Sequence, residues 1–190
     1  MPKMYHALYY PCHLLVAFFL ILVFASSATP VFGGTQPLAY AQRILSPEGY
    51  GAKGALIDSH ITIADMLQYA IEDEYLAQAK CAFIIEKFGE QKIYSDLLAL
   101  QGFYIEKLKE LYAQLALTPP SDRAMEHFEK PSTLKEAAEQ GVKDEMENMA
   151  MYVYFLTFPL PEPIEDVFTR LREGSEDQMA VFVGQSKIIH

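Results

Sequence analysis

One carboxylate, Glu74, stands where a helix would bury only apolar side chains. It lies in the middle of residues 66–88, MLQYAIEDEYLAQAKCAFIIEKF. At the helical period of about 3.6 residues per turn, most apolar residues of this stretch fall on one face, and Glu74 falls on the same face. A buried carboxylate is costly unless it is paired, hydrogen-bonded or bound to a metal. Glu74 is therefore predicted to have a partner or to carry a proton.

Polar residues interrupt the apolar seams of three further predicted helices. In each seam the interruption is a pair of residues three positions apart, which places both on one helix face. The pairs are Gln101 with Tyr104, Glu145 with Asn148, and Ser175 with Gln178. These six residues and Glu74 could all point into one polar layer of a helical bundle. Cys81 lies on the same seam as Glu74 and would border the layer.

This polar layer has three chemical interpretations. The first is a hydrogen-bonded network, in which amides and a hydroxyl donate to the two carboxylates, provided that the network is fully connected. Two carboxylates sharing it would repel each other, so one of them should have a raised pKa. The second is a nonstandard metal site built on Glu74 and Glu145, with Cys81 as a soft ligand. The third is a small-molecule pocket.

Four helices must position these residues. They are predicted at about residues 62–88, 95–116, 134–156 and 163–183. Ser95 is an N-cap candidate, Thr133 forms a capping box with Glu136, and Pro163 suits a first helical position. Residues 118–131 form a longer connection between the second and third helices. With no strand pattern between them, these segments predict an all-α fold, a four-helix bundle with one longer crossover.

Composition excludes some classes of partner. The 190-residue chain is 51% hydrophobic and has a formal net charge of −10. Lys3 is the only charged residue before residue 42, so the later part is strongly acidic and has no basic stripe. Nucleic acid is therefore not an expected partner.

Cys12 and Cys81 lie in such different settings that no disulfide is predicted. His127, in the crossover, is predicted to lie on the surface.

The front of the chain carries a candidate export signal. Residues 14–25, LLVAFFLILVFA, are twelve uninterrupted apolar residues. This run suits a signal peptide better than a membrane span, which needs about 20 residues. Residues 1–28 are predicted to be a cleaved signal peptide, with cleavage after Ala28 or Ala41, or alternatively an N-terminal membrane anchor. Either alternative predicts an extracytoplasmic location: secreted, periplasmic or membrane-anchored. Residues 29–60, punctuated by Gly and Pro, are predicted to be a linker that packs in part.

Four stretches carry a resemblance to a known family. They are EDEYLAQAK (72–80), IIEKFGEQ (84–91), TLKEAAEQGVKDEMENMAMY (133–152) and DVFTRLREGSEDQMAVF (166–182). In these stretches the chain resembles the DUF2202 family, ferritin-like bundles of unknown function. The resemblance implies a ferritin-like four-helix bundle over residues 61–185. It also implies the position of a di-iron or di-manganese centre, of the kind such bundles hold between their helices.

The chain departs from the family pattern at most metal-ligand positions. The glutamates that match Glu74 and Glu145 are kept. The family has Glu-x-x-His where Gln101 and Tyr104 stand, an imidazole at the position of Gln178 and a Tyr at that of Cys81. Amide oxygens and a neutral phenol are weak ligands for iron or manganese. The resemblance therefore implies a degenerate di-metal site with no resident cofactor; iron or manganese bound by Glu74 and Glu145 is the alternative.

Together these observations predict an exported or membrane-tethered ferritin-like domain that acts as a structural or interaction module and not as an enzyme. The alternatives are a metal-dependent oxidoreductase or iron-handling protein, and small-molecule binding in the polar core.

One further feature suggests a partner. The stretch from Met149 to Leu160, MAMYVYFLTFPL, has no charge and is apolar all round the helix. Either residues 33–59 cover it or another subunit does, as in a homodimer.

Overall fold

Five helices and a short 3-10 turn make up the part of the chain that the structure, a computed structural model, describes, residues 49–188. The helices are α1 (Gly51–Ile57), α2 (Ile63–Phe88), α3 (Lys92–Gln114), α4 (Leu134–Phe155) and α5 (Glu162–Ile188). The 3-10 turn spans Ala124–Glu126. Residues 49–188 contain no strand, and the predicted all-α class is confirmed.

The four long helices form two hairpins. Helices α2 and α3, joined by residues 89–91, pack against each other along their length, and α4 and α5, joined by residues 156–161, do the same. Connections this short make the helices of each pair antiparallel. Residues 115–133 cross from one hairpin to the other, and the 3-10 turn within them lies against α2. This order agrees with the predicted bundle and its longer crossover; the ferritin-like assignment stays a prediction.

The ends of α2 follow local capping signals. Thr62 and Asp65 form a capping box, in which the Asp65 amide donates to Thr62 Oγ1 at 3.3 Å and the Thr62 amide donates to Asp65 Oδ2 at 2.9 Å. Gly89 follows the last residue with a φ of 80°, a conformation that favours glycine. The predicted bounds of this helix are confirmed.

The predicted start of the second helix at Ser95 is wrong. Helix α3 begins at Lys92, and the Ser95 amide donates to the Gln91 carbonyl at 3.0 Å as part of the first turn. The extra turn places Tyr94 in the core, where it is buried. Burial of this aromatic ring explains why the helix starts before its best local cap, because packing outweighs a single capping bond.

The capping box predicted for α4 is half formed. The Glu136 amide donates to Thr133 Oγ1 at 3.0 Å, as expected. The Glu136 carboxylate, however, accepts from the Ser132 amide at 2.6 Å.

Helix α5 begins at Glu162, one residue before Pro163, and continues to Ile188, beyond the predicted end.

Helix α1 lies inside the predicted linker and is fixed by two acidic residues of α2. The Gly51 amide donates to Glu72 Oε2 at 3.2 Å, and the Ala52 amide donates to Asp73 Oδ1 at 3.0 Å. Ala52 and Ala55 are buried in the same apolar cluster as the α4 residues Met151, Tyr152 and Phe155.

The same part of the chain covers some of the apolar surface of α4. The Tyr154 hydroxyl donates to the Asp58 carbonyl at 3.4 Å. Helix α1 and the residues after it therefore pack on the stretch from Met149 to Leu160, as the intrachain alternative predicts. Val153 in this stretch is exposed, and the homodimer stays a prediction.

The predicted signal peptide or anchor, both cleavage sites and Cys12 lie outside residues 49–188. Within this range, no helix combines the length and apolar character that crossing a bilayer requires. Cys81 is buried and free.

Candidate functional site

The predicted polar layer is buried between two apolar clusters. Seven of its eight residues are at most 6% exposed, and Tyr104 is half-buried; the seven are Glu74, Cys81, Gln101, Glu145, Asn148, Ser175 and Gln178. One cluster includes Leu67, Phe155 and Phe168, and the other includes Ile84 and Phe182. Residues from all four long helices thus meet at one level of the bundle.

Two amides connect α3 with α5 at this level. Gln101 Nε2 donates to Gln178 Oε1 at 2.6 Å, and both side chains are buried. The Gln101 Oε1 atom has no hydrogen-bond partner among residues 49–188. The Gln101 amide is therefore satisfied on its donor side only.

Glu145 lies beside two polar side chains of the layer. Ser175 and Asn148 are close enough to its carboxyl group to lower its pKa, but burial outweighs them and, together with the nearby Asp73, raises the pKa to about 8. Glu145 Oε2 and Asn148 Oδ1 have no partner within the described part of the chain. The layer thus contains a protonatable carboxyl group and two unpartnered oxygens side by side on α4.

Glu74 is buried more deeply and lies close to other acids. Burial is the main cause that raises its pKa well above the usual range, and the charges of Asp73 and Glu145 raise it further. The Tyr152 hydroxyl lies beside the carboxyl group and lowers this pKa, although the hydroxyl has no hydrogen-bond partner within residues 49–188. The proximity of Glu74 and Glu145 agrees with the predicted repulsion between two carboxylates in one layer.

Tyr104 and Cys81 complete the layer without charge. A Cβ atom at Gly174 would lie 2.4 Å from the Tyr104 hydroxyl, so the ring reaches α5 only because position 174 is glycine. Burial, followed by the charge of Glu145, raises the pKa of Cys81 to about 12. Cys81 is therefore a neutral thiol near neutral pH, whereas a metal ligand would have to be a thiolate.

Sequence reasoning missed three neighbours of this layer: Glu72, Asp73 and Tyr152. Burial raises the pKa of Glu72 to about 7 and that of Asp73 to about 6. Asp73 is enclosed by protein and keeps some solvent contact through the cavity described below. Successive helical residues are about 100° apart, so periodicity puts Asp73 at the edge of the face that carries Glu74. It puts Glu72 about 200° from Glu74, and Glu72 is instead met by the Gly51 amide of α1, which the sequence did not indicate.

A cavity of about 410 Å³ adjoins the layer. It lies between α2 and α4, with α3 and α5 beneath it and residues 126–131 at its rim. Its polar end is formed by Asp73, Gln101, Glu145, Asn148 and Gln178, and its apolar walls by Cys81, Ile84, Tyr94, Leu97 and Phe182. Towards the surface, Lys80 bridges α2 and α4 by an ion pair to Asp144 at 2.6 Å.

His127 lines this cavity, so its predicted surface position is wrong. Its ring stacks on Tyr50 with centroids 4.1 Å apart and is half-buried. Both ring nitrogens are without a hydrogen-bond partner in residues 49–188. Stacking on Tyr50 removes the imidazole from solvent, a contact that the sequence did not indicate because Tyr50 lies in the predicted linker.

These residues do not fit a di-metal centre. Gln101 and Gln178, at positions where the predicted resemblance implies metal ligands, bond to each other. In the described range, no group of three or more His, Cys, Asp or Glu side chains is arranged to hold a metal ion. The absence of a resident metal and the binding of iron or manganese by Glu74 and Glu145 both stay predictions.

Comparison with models of protein families, with curated proteins and with solved structures gives no match for this chain. The resemblance to the DUF2202 family therefore stays a prediction that rests on the four stretches quoted above.

Proposed function

We propose that this chain is an exported or membrane-tethered ferritin-like domain that binds a small molecule in the cavity beside its polar layer. The observation that carries the proposal is a set of unpartnered buried oxygens on residues that line the cavity: Gln101 Oε1, Glu145 Oε2 and Asn148 Oδ1. A buried polar atom without a partner costs about 1–3 kcal/mol. A bound molecule that donates hydrogen bonds would remove this cost.

The size and lining of the cavity support the same proposal. Small-molecule sites are typically about 300–1,000 Å³ and combine apolar walls with a few placed polar groups. The cavity measures about 410 Å³, and it has one polar end and aromatic and aliphatic walls. The location outside the cytoplasm rests on residues 1–28 alone.

A purely structural function is the second candidate, and one observation favours it. The bond from Gln101 to Gln178 ties α3 to α5, and Ser175 of α5 lies beside the Glu145 carboxyl group of α4. A network that served only to hold the helices together would need to be fully connected, because a half-satisfied one is costly. The unpartnered oxygens and the space beside them favour ligand binding.

A fragment screen by ligand-observed NMR on the purified chain tests the proposal. Ala77 lines the cavity, and Ala77→Leu should fill part of it. Ala82→Leu is the matched control, because Ala82 is on the same helix, is exposed and does not line the cavity. We expect fragments that bind the wild-type chain and Ala82→Leu and that lose binding in Ala77→Leu.

Ala137→Leu fills the cavity from α4 and serves if Ala77→Leu unfolds. Circular dichroism checks that each variant is folded. A screen without hits, or hits that both cavity-filling variants retain, would refute small-molecule binding in this cavity.

The metal-dependent alternative has its own test. Metal analysis of protein purified without chelator should find no stoichiometric iron or manganese. If each chain binds a pair of these ions, as carboxylate bundles do, and Glu74→Ala loses them, our proposal is overturned. An oxidoreductase or iron-handling protein is then favoured.

A further inference from the structure

We infer that the ligand of this cavity is a small primary amine with an apolar or aromatic substituent. The inference rests on the proposed function and names the chemical class of the ligand. It is carried by the match between the polar end of the cavity and the donors of an alkylammonium group.

The polar end presents hydrogen-bond acceptors. Gln101, Glu145 and Asn148 are 2%, 5% and 6% exposed, and each has an oxygen without a partner in the described part of the chain. An alkylammonium group has three N–H donors and no acceptor. The number of its donors equals the number of these oxygens. A quaternary ammonium ion has no N–H and would leave them unpartnered.

The charges around the cavity favour a cation. Three lysines line its outer part, and each pairs with an acid there: Lys80 with Asp144 at 2.6 Å, and Lys53 and Lys143 with Glu147 at 4.0 and 3.9 Å. No basic side chain of residues 49–188 forms an ion pair with Glu145 or Asp73. Lys80 is close enough to Asp73 to lower its pKa, but it is paired with Asp144. An anionic ligand at the polar end would therefore meet these acids with no unpaired lysine of the cavity to neutralise it, which is costly in a buried site.

The walls of the cavity favour a hydrocarbon substituent. Tyr94 and Phe182 lie with ring centroids 6.1 Å apart, and Ile84 and Leu97 belong to the same apolar cluster. These side chains offer a metal ion no ligand of useful strength, but they can bury an aromatic ring or a short alkyl chain. The amine therefore needs an apolar part to fill the space next to its charged end.

Isothermal titration calorimetry with three probes of matched shape tests the inference: 2-phenylethylamine, 2-phenylethanol and phenylacetate. We expect the amine to bind at least about tenfold more tightly than the alcohol, because its hydrogen bonds are charge-assisted, and phenylacetate to bind most weakly. If the alcohol or the acid binds as tightly as the amine, the inference is wrong, and small-molecule binding still stands.

Glu145→Gln and Glu139→Gln separate the charge from general effects. Glu139 is exposed on the same helix and does not line the cavity. Glu145→Gln should weaken the amine about tenfold and leave the alcohol within about twofold. Glu139→Gln should change none of these.

Three other outcomes separate failure of the amine inference from failure of the proposed function. Equal weakening of all three probes by Glu145→Gln would mean that Glu145 only supports the fold, and the inference fails. If no probe binds while the fragment screen yields other ligands, the amine class is wrong and the proposed function stands. If the screen is also empty, both fail.

Discussion

At the residue scale, Gln101 and Gln178 show how the bundle accommodates a layer that the resemblance assigns to metal ligands. Two neutral amides can bond to each other across the core, at 2.6 Å here, without an ion between them. The two acids that remain, Glu74 and Glu145, have raised pKa values and can be buried as neutral carboxyl groups. Neutral partners reduce the desolvation cost that a set of buried charges would impose.

The bond between these amides predicts a non-additive mutational pattern. Gln178→Leu leaves Gln101 Nε2 buried without its acceptor, and we expect it to lower the free energy of unfolding by about 1–3 kcal/mol. In the double variant Gln101→Leu/Gln178→Leu neither amide remains to be satisfied. Its loss should be smaller than the sum of the two single losses. Urea denaturation of the four proteins measures this cycle.

Gln114→Leu is the control for this cycle, because Gln114 is an exposed glutamine of α3. It should change the free energy of unfolding by no more than about 0.5 kcal/mol. Strictly additive losses in the cycle would contradict the proposed coupling between Gln101 and Gln178.

At the scale of elements, local signals explain where α2 and α4 begin but not α1. The Thr62–Asp65 box and the Thr133 N-cap are local, so the sequence alone predicts where α2 and α4 begin. The amide groups of α1 are instead satisfied by Glu72 and Asp73, each 21 positions further along the chain. A seven-residue helix that depends on such distant acceptors has no signature that sequence periodicity can detect.

The close packing of α1 predicts a position-specific effect of a single methyl group. A Cβ atom at Gly54 would lie 2.2 Å from the Gly49 carbonyl oxygen and 2.7 Å from the Tyr69 ring. Gly54→Ala should therefore displace α1 and destabilise the protein by about 1–3 kcal/mol. Hydrogen exchange should show faster exchange of the Gly51 and Ala52 amides.

Gly184→Ala provides the opposite result with the same chemical change. Gly184 lies in α5, and a Cβ atom there would meet nothing within 4 Å. Alanine should stabilise this helix by up to about 1 kcal/mol. Thermal unfolding checks both variants, and a neutral or stabilising Gly54→Ala would mean that α1 is not packed as described.

At the scale of the whole molecule, the polar layer was predictable and the cavity was not. Helical periodicity fixes which residues share a face, so seam projection put Glu74, Gln101 and Glu145 on core-facing seams, and their place between the apolar ends of each seam predicted one level. The space beside them depends on how far α2 stands from α4 and on the rim at residues 126–131. His127 joins that rim by stacking on Tyr50. These are distances between elements, and no spacing within one helix encodes them.

Several acids of the bundle should together make the protein less stable as the pH rises. The pKa is raised from 4.5 to about 7 at Glu72, from 3.8 to about 6 at Asp73 and from 4.5 to about 8 at Glu145, in each case mainly by burial. Between the ordinary and the raised values the folded chain binds more protons than the unfolded chain, so its stability falls with increasing pH. The stabilising effect of the protonated acids is fully present below about pH 4 and is lost by about pH 8 to 9.

The Glu145→Gln variant isolates the share of this effect that Glu145 contributes. Glutamine resembles the protonated acid, so the variant should match the wild-type chain near pH 5 and exceed its free energy of unfolding at pH 9, by on the order of 2 kcal/mol or more. Glu139→Gln should keep the wild-type pH dependence, because Glu139 is exposed. Urea denaturation at pH 5, 7 and 9 measures the three curves. If the free energy of unfolding of Glu145→Gln fell as steeply with pH as that of the wild type, Glu145 would have to be ionised throughout this range. A permanent counter-charge would then have to lie beside it.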